Sequence, residues 1–185
     1  MIDEIKWLYH SHGAPTEGVN IFGIQHNQIL NNLFDDVIGF FTPDEIRFYR
    51  GTVSPSEKRN LTRDEGAASI CLGYHKKAWK LSMKSKKYPY PHMTTKRKVL
   101  CWDDTNKNKI KDANDKIVWY KGMYLHSTFR DKYIMNSSWG CQVIPRSFGY
   151  NEFIDYMIQS RQKIFSYYLF ASSEISFYDK IEVQK

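Results

Sequence analysis

Hydrophobic side chains recur along this chain in two rhythms. At the start, Ile2, Ile5, Leu8 and Tyr9 fall on one helix face ahead of Gly13 and Pro15, which predicts a short helix over residues 2–9. Further on, short runs dense in β-branched and aromatic residues predict strands over 19–25, 36–41, 45–53, 67–74, 78–83, 98–102 and 116–125. Turn-rich segments such as 52–60 separate them. Helical spacing returns at Phe153, Ile154, Met157, Ile158 and Arg161, with Asn151 as the expected N-cap. A final apolar run over 164–171 predicts a closing strand. In Tyr88-Pro89-Tyr90-Pro91 each residue before a proline is pushed out of the helical region, so this segment reads as an extended loop of the kind that often flanks a cleft. The expected class is mainly β (α+β), a single domain over 1–185 with a short N-terminal helix and a C-terminal helix and strand.

Charge narrows the partners. The chain of 185 residues has 27 Lys and Arg against 20 Asp and Glu, a net +7 that attracts polyanions: nucleic acid, a membrane surface or a bacterial wall. No stretch approaches the roughly 20 apolar residues of a membrane span. The start, Met1-Ile2-Asp3-Glu4-Ile5, lacks the basic and apolar parts of a secretory signal, so synthesis in the cytoplasm is expected. Three widely spaced cysteines without a Cys-x-x-Cys pair argue against a disulfide framework or a cysteine zinc site. Cys71 and Cys101 sit in apolar runs and read as buried hydrophobes.

Cys141 has different neighbours. His126 ends one predicted strand and Cys141 begins another, so the two meet if those strands are adjacent. A thiol serves as a nucleophile when a base draws off its proton. Gly140 lets the backbone turn sharply ahead of the thiol, and main-chain N–H groups at that turn, that of Cys141 included, suit an acyl oxyanion. Ser127 is the first candidate to orient the imidazole, through its hydroxyl or its carbonyl.

His126-Ser127 followed by Ser138-x-Gly140-Cys141 resembles the active-site signature of the L,D-transpeptidase (YkuD-like) family, and Ser-x-Gly-Cys-Gln-Val-Ile resembles the variant in phage-borne and prophage-borne members. The similarity spans roughly residues 51–170. It takes in Gly51-Thr52 and Ser54-Pro55, a strand ending near Gly73-Tyr74, Trp102-Asp103-Asp104, the histidine strand and the cysteine turn. The resemblance implies a β-sandwich catalytic domain without cofactor or metal, acting on bacterial peptidoglycan. Cys141 would attack the carbonyl between the L-centre of diaminopimelate and D-alanine, with His126 as base and Ser127 as its orienting group. Water or an amine would then resolve the acyl-enzyme. Gly140, Ser138, Trp139, Arg146 and Tyr124 are the candidate oxyanion and substrate-binding residues. The chain departs from the family where Trp139 replaces the usual histidine, where the gap before the cysteine block is short, and where Val143 takes the place of an arginine, leaving Arg146 as the nearest. The phage-like variant favours a lytic enzyme, monomeric and acting at the wall after release.

Other patterns compete. Asp104-x-Asn106-x-Asn108-x-x-x-Asp112 resembles the start of a calcium loop, but Lys109 stands where glycine is usual and Asp115 is a short substitute for glutamate. A solvated hairpin tip is the plainer reading. His10, His12, His26, His75 and His92 lack zinc-site spacing and read as surface histidines. Basic clusters at 84–87 and 96–98 around an aromatic loop fit single-stranded nucleic acid, the main alternative from another class. A wall-binding module with a degenerate site is the other.

Overall fold

A computed structural model describes residues 1–26, 31–62, 64 and 66–182. Helix α1 (Ile2–Ser11) is followed by strands β1 (Asn20–Gln25), β2 (Asp36–Phe41) and β3 (Ile46–Gly51), helix α2 (Glu57–Thr62), then β4 (Ala68–Ile70), β5 (Gly73–Ser82), β6 (His92–Thr95), β7 (Val99–Asp103), β8 (Lys116–Tyr120), β9 (Tyr124–Thr128) and β10 (Gln142–Pro145). Helix α3 (Tyr150–Gln159) and strand β11 (Ile164–Ala171) close the order. The protein is mainly β with a few helices, as the patterning predicts.

Eight strands form one sheet in the order β10-β9-β6-β5-β11-β1-β2-β3, and β4-β7-β8 form a smaller one. The edge strands of the long sheet meet: Thr52, just past β3, exchanges two hydrogen bonds of 2.9 Å with Val143 of β10. Both faces are covered at β1, β2 and β11, which explains why these strands are buried almost throughout rather than alternately. On the inner face Ile21, Phe40, Trp79, Met93, Leu125 and Leu169 pack with Phe153 and Met157 of α3 and with Ile70 and Cys101 of the small sheet. On the outer face Ile5 and Tyr9 of α1 join Phe22, Phe41, Phe170 and Phe177.

Several boundaries differ from the sequence reading. The single run over 116–125 is two strands in different sheets, parted at Gly122, whose φ of +94° lets the chain turn from one to the other. The run over 67–74 likewise changes sheet between β4 and β5, and β5 continues through to Ser82. Apolar content does not report which sheet a residue joins, and in β8 not even burial, since Ile117 and Trp119 are exposed. Residues 52–60 contain the start of α2 as well as turns. Asn151 is not an N-cap: α3 begins at Tyr150 after Gly149, fed by a short 3₁₀ turn over Arg146–Phe148.

Candidate active site

Strands β9 and β10 run parallel, with Gln142 beside Leu125 and Val143 beside His126. Extending this register by one residue sets Cys141 opposite Tyr124. Alternate residues of a strand share a face, so Tyr124, His126 and Cys141 lie on one face while Leu125 points into the inner core. Cys141 packs there with Phe34, Ile134, Val143 and Tyr124.

The imidazole is held in one tautomer. His126 Nδ1 lies 2.9 Å from the Ser127 carbonyl, which only accepts, so Nδ1 carries the proton and Nε2 the lone pair. Nε2 is buried and has no hydrogen-bond partner among the described residues. Ser127 therefore orients the ring through its carbonyl, which also accepts from the Tyr90 hydroxyl at 3.3 Å. Its own hydroxyl accepts from Arg146 Nε at 3.3 Å.

Burial sets the protonation states. His126 is 4 % exposed, and desolvation of its charged form pushes its pKa down to about 4; Lys87 and His92 push the same way, against the hydrogen bond to the Ser127 carbonyl and the nearby Ser137 backbone. Cys141 is 6 % exposed, and burial pushes the thiol up, opposed by backbone hydrogen bonds at Tyr124 and Trp139 and by Lys87. At neutral pH the pair is thus a thiol and a neutral imidazole. The partial exposure that thiol reactivity requires is not present in this arrangement.

The cover is Tyr88. Its ring stacks on His126 at 4.5 Å between centroids and 26° between planes, and meets Tyr124 at 5.0 Å and His92 at 5.2 Å. Lys87 Nζ lies 5.3 Å from the Tyr88 ring and 5.1 Å from that of Tyr124. Removing the phenol with Tyr88→Ala is expected to raise the rate at which iodoacetamide labels Cys141 by about tenfold, since access limits a buried thiol. Labelling of Cys71 and Cys101, followed by peptide mapping, should not change.

The turn before the thiol depends on Gly140. Its φ is +107°, and a Cβ there would lie 2.1 Å from the Ala68 carbonyl oxygen. Gly140→Ala is expected to destabilise the fold by about 2–4 kcal/mol, combining backbone strain and a clash with main chain, read as a drop in urea midpoint. The Gly140 amide donates to Ser138 Oγ at 3.2 Å, and that hydroxyl lies 2.9 Å from the Ser54 carbonyl and 2.7 Å from that of Cys141. Ser138 is fully buried and ties the turn to the residues after β3. Trp139 is 44 % exposed, with the Arg59 guanidinium 3.5 Å from its ring centre. The Arg146 guanidinium lies between Phe129, at 4.3 Å, and Tyr90, at 5.2 Å.

The structure therefore gathers Cys141, His126, Ser127, Tyr124 and Arg146 at one edge of the long sheet, and gives Ser138 a role inside the turn. Sequence reasoning missed Tyr88 and His92 as members of this cluster. The one signal for them was the Tyr-Pro-Tyr-Pro-His run, whose four-residue strand β6 is too short for period-2 patterning to stand out.

The calcium-like loop engages most of its acidic oxygens in hydrogen bonds, although Asp104 Oδ1 is buried with no partner among the described residues. Asp104 Oδ2 accepts from the Lys109 N–H at 2.8 Å and from Asn60. Asp115 accepts from the Thr105 and Asp112 N–H groups, and Asp112 from the Asn114 N–H, Asn106 and Asn108. His75 bonds the Cys71 carbonyl and His26 stacks on Tyr178, while His10 and His12 lie exposed on and beside α1. Among the described residues no three His, Cys, Asp or Glu side chains gather as a metal set. No helix among them is long and apolar enough to cross a membrane.

Comparison with protein families, characterised proteins and solved structures finds no match to this chain.

Proposed function

We propose that this chain is a cysteine-dependent acyl-transfer enzyme acting on peptidoglycan stem peptides, of the L,D-transpeptidase type, with a phage-type lytic role at the bacterial wall. The observation that carries the reading is the pairing of a cysteine after a glycine turn with a neighbouring-strand imidazole whose Nε2 is open. The Cys141 proton passes to His126 Nε2 as Sγ bonds to the acyl carbon, and the oxyanion is met by the Cys141 amide. The carbon–nitrogen bond to D-alanine breaks, and the leaving amine takes the proton from His126. Water or a second amine then resolves the thioester. Arg146 and Lys87 place positive charge at the mouth of the site, where a stem-peptide carboxylate would sit.

Mass spectrometry of muropeptides after incubation with the protein tests this. Loss of terminal D-alanine, opening of a cross-link and formation of a new one differ in mass, and unchanged muropeptides would sink the reading. A wall-binding module is the second reading, favoured by the burial of Cys141 and the exposed Trp139 beside Arg59. Under the enzymatic reading Trp139→Ala is expected to lower turnover by only about two- to fivefold, the worth of an exposed cation–π contact at the cleft rim. A loss as large as that from removing the thiol would instead put Trp139 in the chemistry.

A further inference from the structure

The sequence places His92 among surface histidines, but the sheet buries it wholly and carries it to the candidate site. β6 and β9 are antiparallel, with Met93 beside Leu125 and Thr94 beside Tyr124. Extending that register by one residue sets His92 directly across from His126. Met93 and Leu125 both enter the inner core, so His92 and His126 share the opposite face with Cys141. Facing residues on such strands have Cβ atoms about 4.5–5.5 Å apart.

The two imidazoles are prepared alike. His92 Nδ1 lies 2.8 Å from the Tyr90 carbonyl, as His126 Nδ1 does from that of Ser127, so each ring donates through Nδ1 and keeps its lone pair on Nε2. Both Nε2 atoms are buried without a partner among the described residues, and His92 is wholly buried. A buried acceptor left bare costs about 1–3 kcal/mol. Two of them side by side under one tyrosine ring, on the face that also carries Cys141, are suited to two donor protons.

We propose that His92 is a second catalytic base of this site, serving the acyl acceptor as His126 serves the thiol. The inference rests on the acyl-enzyme reading above. In the first half-reaction His126 takes the thiol proton and returns it to the leaving amine, ending neutral. In the second, the incoming water or amine loses a proton to His92 Nε2 as its oxygen or nitrogen bonds to the thioester carbon. The carbon–sulfur bond then breaks, the thiolate takes up a proton and His92 gives one up, so that both end neutral. No oxidant or further reactant is consumed. The arrangement supplies from β6 an imidazole that the cysteine block lacks at Trp139.

The test uses the full chain and soluble muropeptides carrying diaminopimelate stem peptides. His92→Asn keeps a donor near the Nδ1 position and deletes Nε2. Turnover should fall by about 100-fold or more, the usual worth of a positioned base. Intact-protein mass spectrometry should meanwhile show the acyl adduct on Cys141 rising from trace to a major species. His92→Gln, checked with it for an unchanged circular dichroism spectrum, should behave the same way. A fall in turnover with no adduct would place His92 before acylation or in the scaffold alone and overturn the proposal, as would unchanged turnover. A wild-type protein that forms neither product nor adduct would bring down the acyl-enzyme reading and this proposal with it.

Discussion

Cys141→Ala is expected to reduce turnover of purified peptidoglycan to background, a fall of about 10⁴-fold or more, because without the thiol no acyl-enzyme forms and the remaining groups cannot divide the reaction into two steps. Wall binding should persist. Lys87, Arg146 and Trp139 hold their side chains through other contacts, on Tyr124, on Phe129 and under Arg59, and loss of Sγ leaves only a small gap among Phe34, Ile134 and Val143. Co-sedimentation with insoluble wall, run beside the muropeptide assay, separates the two quantities. Equal turnover in wild type and variant would leave only the binding-module reading.

His126→Asn is expected to cost nearly as much, since nucleophile and base act as a unit and their losses do not add. The burial of His126 also fixes the shape of the pH profile. With the imidazole at about 4 and the thiol pushed up, the neutral pair prevails from about pH 5 through neutrality. Activity should therefore hold level there and fall below about pH 4–5, with no limb at the ordinary histidine value of 6.5. A midpoint near 6.5 in the rate profile would show that His126 is exposed during turnover or is not the base.

The same shift predicts a stability effect. Between about 4 and 6.5 the unfolded chain binds a proton at this histidine that the folded chain refuses, so stability rises with pH across that window and is lost as pH falls. The full effect is on the order of 3 kcal/mol. It is best read as the difference between wild type and His126→Asn. Asp36, whose burial raises its pKa to about 7, works in the opposite direction, destabilising the fold as pH rises from about 4 to 7.

Local patterning carried much of the architecture. The apolar runs at β1, β2 and β11 were legible because both faces of those strands are buried, and the helical spacing of Phe153, Ile154 and Met157 was legible because α3 lays one stripe on the inner core. The candidate nucleophile and base were named from a glycine-cysteine turn, a histidine placed at a strand end and the resemblance of those segments to a known active-site signature; the structure sets His126 in the middle of β9 instead. What patterning does not encode is partnership. Whether residues 116–125 make one strand or two, that β3 and β10 meet at Thr52 and Val143, and that His92 faces His126 all follow from pairings between residues distant in sequence. A strand pattern marks extended backbone, and the neighbour across the sheet decides what each side chain meets. For that reason the sequence alone named Cys141 and His126, whereas only the tertiary structure decided that both are buried and neutral, that Tyr88 lies over them, and that a second imidazole stands beside the first.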